Sequence, residues 1–281
     1  MGKYERILAN RLHPNSYLRF CLRKMKQMKK QYLNYISNEH LLSCIENLHQ
    51  AYLKAKNNVS KKQFYSNKVD CFKLTFDALF NGMDEESLIQ GEILRQIDKS
   101  INNSIGTFHE QILGGINGYQ MGKLSGFDIK ANDDSLFADI KNKHNTMNSS
   151  AAEALFQKLA RYANDFKQAK CYWVQILAKD SFCELWTGEI NGKEYSHSRV
   201  YKISGDQFYA MLTGEEDALF QLYSVLPNAI SEYLERTEIT VIQSGTSALE
   251  EIKSQISSTH RSVIDQITFE NYVYYSGFDK L

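Results

Sequence analysis

Gly126-Phe-Asp-Ile-Lys-Ala-Asn-Asp-Asp-Ser-Leu-Phe-Ala-Asp-Ile-Lys141 is the stretch on which the fold turns. Leu124 to Ala131 reads as a strand, Asn132-Asp133-Asp134 as a turn, and Leu136 to Lys143 as a second strand carrying Phe137 and Ile140. Side chains at i and i+2 of a strand face the same way, so Asp139 and Lys141 point together off one face. A hairpin between the strands brings Asp128, at the end of the first, beside them. Two carboxylates and an ammonium then converge at one point.

That set suits hydrolysis of a phosphodiester. The attacking water must lose a proton near neutral pH, and the transition state gathers negative charge on phosphate. Two carboxylates, Asp128 and Asp139, can hold magnesium, a cation that takes oxygen ligands and keeps several waters. The metal acidifies water and offsets charge, and Lys141 can orient the water or stabilise the charged phosphate. Glu110, on the helix before, in Thr107-Phe-His-Glu110-Gln, can approach the same site from the side. The acid-x-lysine triplet alone says little, because it also occurs as Asp128-Ile-Lys130, Asp165-Phe-Lys167 and Glu251-Ile-Lys253. The last two fall on predicted helices, where surface ion pairs explain them. Asp128-Ile-Lys130 is a rival register, but no good strand acid precedes it. A solvated hairpin of alternating charge is the plain alternative for Asp139-Ile-Lys141.

The residues that follow favour the chemical reading. Asn142-Lys-His-Asn-Thr-Met-Asn-Ser-Ser150 is nearly devoid of apolar side chains and dense in amides, hydroxyls and cations. Asn can read adenine bidentately and Lys can read guanine, while free amides at a helix start can clamp phosphate. Asn142, Lys143, His144, Asn145, Thr146, Asn148 and Ser149 are therefore the candidate DNA contacts. Ser150-Ala-Ala-Glu153 reads as a capping box, with Ser149 and Ser150 doing the capping and Asn145 and Asn148 left for recognition. His144 serves as base reader, phosphate contact or spectator, and not as general base. His109 reads as the half-buried partner of another side chain, and Tyr172, Trp173 and Trp186 as core or sheet aromatics.

Outward from this centre, the first 120 residues are mostly helical. Candidate helices run from about Ser16 to Ile36, His40 to Lys56, Lys62 to Phe80, and Glu85 to about Ile116, where Gly114-Gly115 and Asn117-Gly118 break the pattern. After the capped helix with its Leu155, Leu159, Tyr162, Phe166 stripe comes Cys171 to Ala178, an apolar run of strand length suited to the middle of a sheet. Phe182 to Glu189 and Lys193 to Ile203 flank Asn191-Gly192, a hairpin dipeptide. Helices follow from Asp206, with Thr213 capping Glu215 to Leu226 and Pro227 restarting a helix toward Leu234. Glu238 to Gln243 alternates like a strand, and Ser247 to Ile256 is a last helix. The order is helices, β-β-α-β with a further hairpin, then helices. We divide the chain into a helical N-terminal region (1–84), an α/β core (85–243) and a C-terminal helix and tail (244–281).

Composition bounds the rest. The 281 residues are 43% apolar, enough for a substantial core, and the two prolines leave no flexible tether. Lys and Arg (33) balance Asp and Glu (33), so attraction to phosphate must come from local patches. One lies between Arg6 and Asn38, where Arg6, Arg11, Arg19, Arg23, Lys24, Lys26, Lys29 and Lys30 meet no acid. No apolar run of about 18 residues exists to span a membrane, and Met-Gly-Lys-Tyr-Glu does not open a secretory signal. The five scattered cysteines (Cys21, Cys44, Cys71, Cys171, Cys183) suit reduced thiols in a bacterial cytoplasm.

Phe127-Asp128 together with Phe137-Ala-Asp-Ile-Lys-Asn-Lys-His-Asn-Thr-Met-Asn-Ser-Ser150 resembles the PD-(D/E)xK nuclease core. More narrowly, it resembles the type II restriction endonucleases that recognise GGNCC or GGWCC. Thr213-Gly-Glu-Glu-Asp-Ala-Leu-Phe-Gln-Leu-Tyr-Ser-Val-Leu-Pro227 is similar to a second segment of that family, and the likeness spans about residues 85 to 240. Phe127 stands where the motif name has proline, and position 139 carries aspartate rather than glutamate. The resemblance implies a mixed sheet flanked by helices, with Asp128 and Asp139 as metal ligands for Mg2+, Lys141 as the catalytic lysine and Glu110 as a supporting acid. It further implies double-stranded DNA as substrate, a homodimer reading a palindrome, and a companion DNA methyltransferase. A repair or junction-resolving nuclease, or a non-catalytic DNA-binding protein on the same fold, are the rival readings.

Overall fold

The computed structural model describes residues 31–57, 71–83, 85–122, 126–144, 147–237 and 274–280. Its helical part opens with α1 (Asn38–Asn57), α2 (Cys71–Asn81) and α3 (Glu85–Gly114). The sheet region follows: β1 (Tyr119–Met121), β2 (Ile129–Ala131), β3 (Leu136–Lys143), α4 (Ser149–Asp165), β4 (Lys170–Leu177), β5 (Cys183–Leu185), β6 (Gly188–Ile190), β7 (Lys193–Tyr195) and β8 (Val200–Ser204). Helices α5 (Gly205–Thr213) and α6 (Ala218–Thr237) and a short 3-10 turn (Phe278–Lys280) complete it.

Six strands form one mixed sheet in the order β1-β2-β3-β4-β8-β5. Its central strands β3, β4 and β8 run parallel, and β1, β2 and β5 add antiparallel edges. Alternation along β3 sends Leu136, Ala138 and Ile140 to one face and Phe137 to the other, and each face has its own apolar cluster. The first face is covered by α1, α3, α5 and α6 through residues such as Leu41, Ile112, Phe208 and Leu222. The second packs on α4 through Leu155, Phe156, Leu159 and Ala163. This is an α+β architecture of the restriction-endonuclease-like kind.

Several boundaries depart from the expectations. Residues 31–37 are irregular where the first helix was expected to reach Ile36, because the Ser37 hydroxyl accepts from the His40 amide and starts α1 there. The strand expected from Leu124 is confined to Ile129–Ala131, and residues 126–128 form a turn. Tyr119–Met121, beyond the expected glycine break, supplies the edge strand instead. The long strands expected around Asn191-Gly192 are broken into β5, β6, β7 and β8, although the dipeptide does turn the β6–β7 hairpin with φ of 53° and 75°. Thr213 ends α5 rather than capping a helix at Glu215, and Gly214 takes a left-handed conformation after it. Pro227 lies inside α6 without breaking it. Leu219 and Leu222 before it and Ala229 and Tyr233 after it are buried in the same cluster. That burial outweighs the roughly 3 kcal/mol a mid-helix proline costs. The basic run from Arg6 to Lys30, the strand from Glu238 and the helix from Ser247 fall outside the described residues.

Cys44 and Cys171 are buried free thiols and Cys183 an exposed one. Among the described residues, no helix is long and apolar enough to cross a membrane.

Candidate active site

Asp128 precedes β2, yet its backbone is held on both sides. Its amide donates to Ala138 at 3.0 Å, and its carbonyl accepts from Gly122 at 3.0 Å. The side chain is therefore delivered to β3, where Oδ2 accepts the Ile140 amide at 2.6 Å. Asp139 and Lys141 share the α4 face of β3 with Phe137, as the two-residue period requires. The ammonium of Lys141 donates to Asp139 Oδ1 and, at 3.4 Å, to the Ile140 carbonyl. The structure thus brings Asp128, Asp139 and Lys141 to one place.

Asp139 is only 8% exposed. A buried carboxylate persists only when paired, and a second cation does this. Lys158 of α4 reaches Asp139 Oδ2 at 3.3 Å, donates to the Gly126 carbonyl, and lies 4.1 Å above the centre of the Phe127 ring. Sequence reasoning missed Lys158, because its place depends on a packing contact between α4 and β3. Tyr162 packs on Phe137. Four residues back along a helix is about 6 Å, and two residues on along a strand is about 6.6 Å. The residue one turn before Tyr162 therefore meets the residue two past Phe137: Lys158 meets Asp139.

Burial raises the pKa of Asp128, and the charge of Asp139 raises it further, while the Ile140 amide, Lys141 and Lys158 pull it back. The two acids are close enough to repel. Both are hard oxygen donors, and two carboxylates suffice for a cation that retains waters, so the donor set fits magnesium. Glu110 lines a cleft with Thr107, Met121 and Asp128, but does not complete a three-acid cluster. Among the described residues no group of three His, Cys, Asp or Glu is close enough to enclose a metal.

The polar segment after Lys141 divides by geometry. Lys143 is exposed and, two residues on, shares the face of Lys141, whereas alternation turns Asn142 to the other face. His144 is pinned to β4: its amide donates to the Leu177 carbonyl at 3.1 Å and ring Nδ1 does so at 3.2 Å. A carbonyl oxygen only accepts, so Nδ1 carries the proton in this contact. Asn145 and Thr146 lie outside the described residues.

The expected capping box is not formed. Asn148 is the N-cap of α4, with its side-chain oxygen accepting from Ala151 at 2.9 Å, and Ser149 and Ser150 are exposed helix residues. Asn148, two residues before Ser150, satisfies the free amide before that serine can. Glu153 instead accepts from Asn191 at 2.9 Å and from the Tyr195 hydroxyl, tying the β6–β7 hairpin to α4. His109 behaves as expected, with Nδ1 2.9 Å from the Tyr209 hydroxyl, and Tyr172 and Trp186 are buried.

A mixed sheet with helices on both faces, carrying an acid just before one strand and an acid and a lysine on the next, defines the restriction-endonuclease-like class. Comparison with known proteins narrows this. The family model of the Eco47II restriction endonuclease matches residues 33–235, and the chain belongs to that family. It is 38% identical over 254 residues to the type II restriction enzyme Sau96I of Staphylococcus aureus, covering 87% of this chain and 97% of that protein. It is 32% identical over 212 residues to the type II restriction enzyme Eco47II of Escherichia coli, covering 72% of this chain and 87% of that one. The protein is accordingly a type II, site-specific restriction endonuclease.

Proposed function

We propose that the enzyme cuts both strands of a short palindromic, GGNCC-like duplex site, with magnesium held by Asp128 and Asp139. The observation that carries this is the meeting of Asp128, from the turn before β2, with Asp139 and Lys141 of β3. Magnesium, when bound, supplies an acidified water and offsets charge on phosphate. The chain's own residues set up the rest. The Ile140 amide fixes the Asp128 carboxylate. Lys141 stands beside Asp139, where its charge can stabilise the phosphate as it gains negative charge. Lys158 fixes the second oxygen of Asp139. Glu110 acts as a supporting acid from across the cleft.

Site reading falls to the Asn142–Ser149 segment. Lys143 extends from the catalytic face toward phosphate or guanine. His144, its Nδ1 committed to the Leu177 carbonyl, has its Nε2 edge left for a base or a phosphate. Asn145, Thr146 and Ser149 supply further donors, Asn142 points to the opposite face of β3 and is set apart from them, and Asn148 has only its amide nitrogen left over from capping. A two-fold dimer suits a palindrome, and a companion methyltransferase would protect the host's own sites.

The test is digestion of unmethylated plasmid and phage DNA by the purified protein, with magnesium and then with EDTA, and sequencing of the ends. Discrete fragments ending within one palindrome, lost in EDTA, are expected. A smear, or cutting confined to branched DNA, would contradict the reading.

A further inference from the structure

The apolar strand Cys171-Tyr-Trp-Val-Gln-Ile-Leu177 carries one amide, Gln175, near its middle. Tyr172, Val174 and Ile176 belong to the cluster under α5 and α6, and Cys171 and Trp173 to the cluster under α4. Alternation therefore turns Gln175 to the α4 face. The register makes its surroundings specific: Trp173 lies beside Asp139, and Gln175 beside Lys141. In adjacent parallel strands such partners are about 4.8 Å apart. Gln175 thus flanks the acid–lysine pair in the centre of the sheet.

Gln175 is only 7% exposed. An amide in such a place is ordinarily hydrogen-bonded, and leaving it unpaired costs free energy. Yet among the described residues Gln175 has no side-chain partner. Lys141 does not serve, since its ammonium is taken by Asp139 and the Ile140 carbonyl. Nor is the amide sealed in: the only fully buried side-chain polar atom without a partner among the described residues is Nε1 of Trp173, its neighbour on the same face. The Gln175 amide therefore still meets solvent, at the catalytic face.

A core position that keeps an unpaired amide where Leu or Met would fit is destabilised without structural return, and such sites arise where a ligand supplies the missing partner. We infer that Gln175 is a substrate-contacting residue of the active site, whose amide N–H donates to a non-bridging oxygen of the DNA phosphate held beside Lys141. The neighbouring cation then supplies charge and Gln175 a directed hydrogen bond, which orients the phosphate in line with the attacking water. This rests on the Asp128–Asp139–Lys141 reading of the active site.

The experiment compares Gln175→Met, Gln175→Glu and Asp139→Ala with the wild type. Single-turnover cleavage of unmethylated phage DNA is measured alongside the thermal midpoint in EDTA. Q175M removes the amide at similar volume. Its midpoint is expected to stay level or rise, while cleavage falls about 10- to 100-fold, the range of one hydrogen bond to a charged group. Q175E keeps the shape but places an acid against phosphate, so it should cut more slowly still. A Q175M protein that melts lower and cuts at the wild-type rate, or that fails to fold, makes Gln175 a structural residue and overturns the inference. If Asp139→Ala still cuts, the active-site reading itself fails and takes this inference with it. An inactive Asp139→Ala with a fully active Q175M defeats the inference alone.

Discussion

The Ile140 amide donates to Asp128 Oδ2 at 2.6 Å, so the acid before β2 is fastened to the very strand that carries Asp139. The bond needs an acceptor, whereas catalysis needs a charge, and the two requirements can be separated. Asp128→Asn keeps an acceptor oxygen and should fold like the wild type, yet lose cleavage. Asp128→Ala should lose cleavage and, with the Ile140 amide unpaired, roughly 1–3 kcal/mol of stability. Urea denaturation and plasmid digestion check both. Either variant cutting at the wild-type rate would remove Asp128 from the active site.

Asp139 holds Lys141 on one oxygen and Lys158 on the other. Asp139→Ala should abolish cleavage while leaving two lysines without their shared acid. Those cations then face DNA unopposed, and one phosphate-repelling charge is gone. Binding to duplex DNA in EDTA, followed by gel shift, is expected to be equal to wild type or tighter. Weaker binding would mean that Asp139 shapes the DNA surface rather than the chemistry.

The cap on α4 makes a prediction that separates neighbours. Asn148→Ala removes the acceptor for the Ala151 amide and should cost about 1 kcal/mol. Ser150→Ala removes an exposed hydroxyl and should cost almost nothing. The reverse order in a chemical denaturation series would restore the capping box centred on Ser150.

Gly205 begins α5 directly against β4. A Cβ there would lie 2.7 Å from the Ile176 carbonyl oxygen and 2.9 Å from its Cα. Both are backbone atoms of a central strand and cannot swing away. Gly205→Ala should therefore destabilise by roughly 1–3 kcal/mol, the usual cost of overpacking. A melting temperature equal to wild type would place α5 further from the sheet.

His109 gives a pH dependence. Burial lowers its pKa to about 4, against about 6.5 in an unfolded chain. Between those values the unfolded state binds a proton that the folded state does not, so stability rises with pH. This contribution is complete above about pH 6.5 and is lost as pH falls toward 4. His109→Gln, neutral throughout, should lose less stability than wild type between pH 7 and pH 5 in urea titrations. Equal losses would mean that the imidazole takes up a proton without penalty.

Much of the architecture was legible because it is local. The Asn132-Asp133-Asp134 turn and the bounds of β3 follow from polar punctuation and a period of two, and Asp134 indeed takes a positive φ of 58°. The Asn191-Gly192 hairpin follows from conformations that few other residues tolerate. Where one local signal competed with another, the reading went astray. Ser150 and Asn148 both offer caps, and only the actual helix start chooses between them. Pro227 signals a break that burial on both sides overrules.

The chain by itself determined which side chains meet at the proposed site: Asp128, Asp139 and Lys141 are named by spacing, since strand periodicity and a short turn leave few ways to arrange them. The tertiary structure alone decided what surrounds them. Lys158 reaches Asp139 because one helical turn of α4 matches two residues of β3. Gln175 stands beside Lys141 because β3 and β4 pair in one parallel register out of several that the sequence permits. The first relation joins a strand to its crossover helix and the second joins two strands across that helix, and no periodicity within any of these segments encodes the offset between them. That offset is set by packing, where Tyr162 on Phe137 and the paired strands admit one fit.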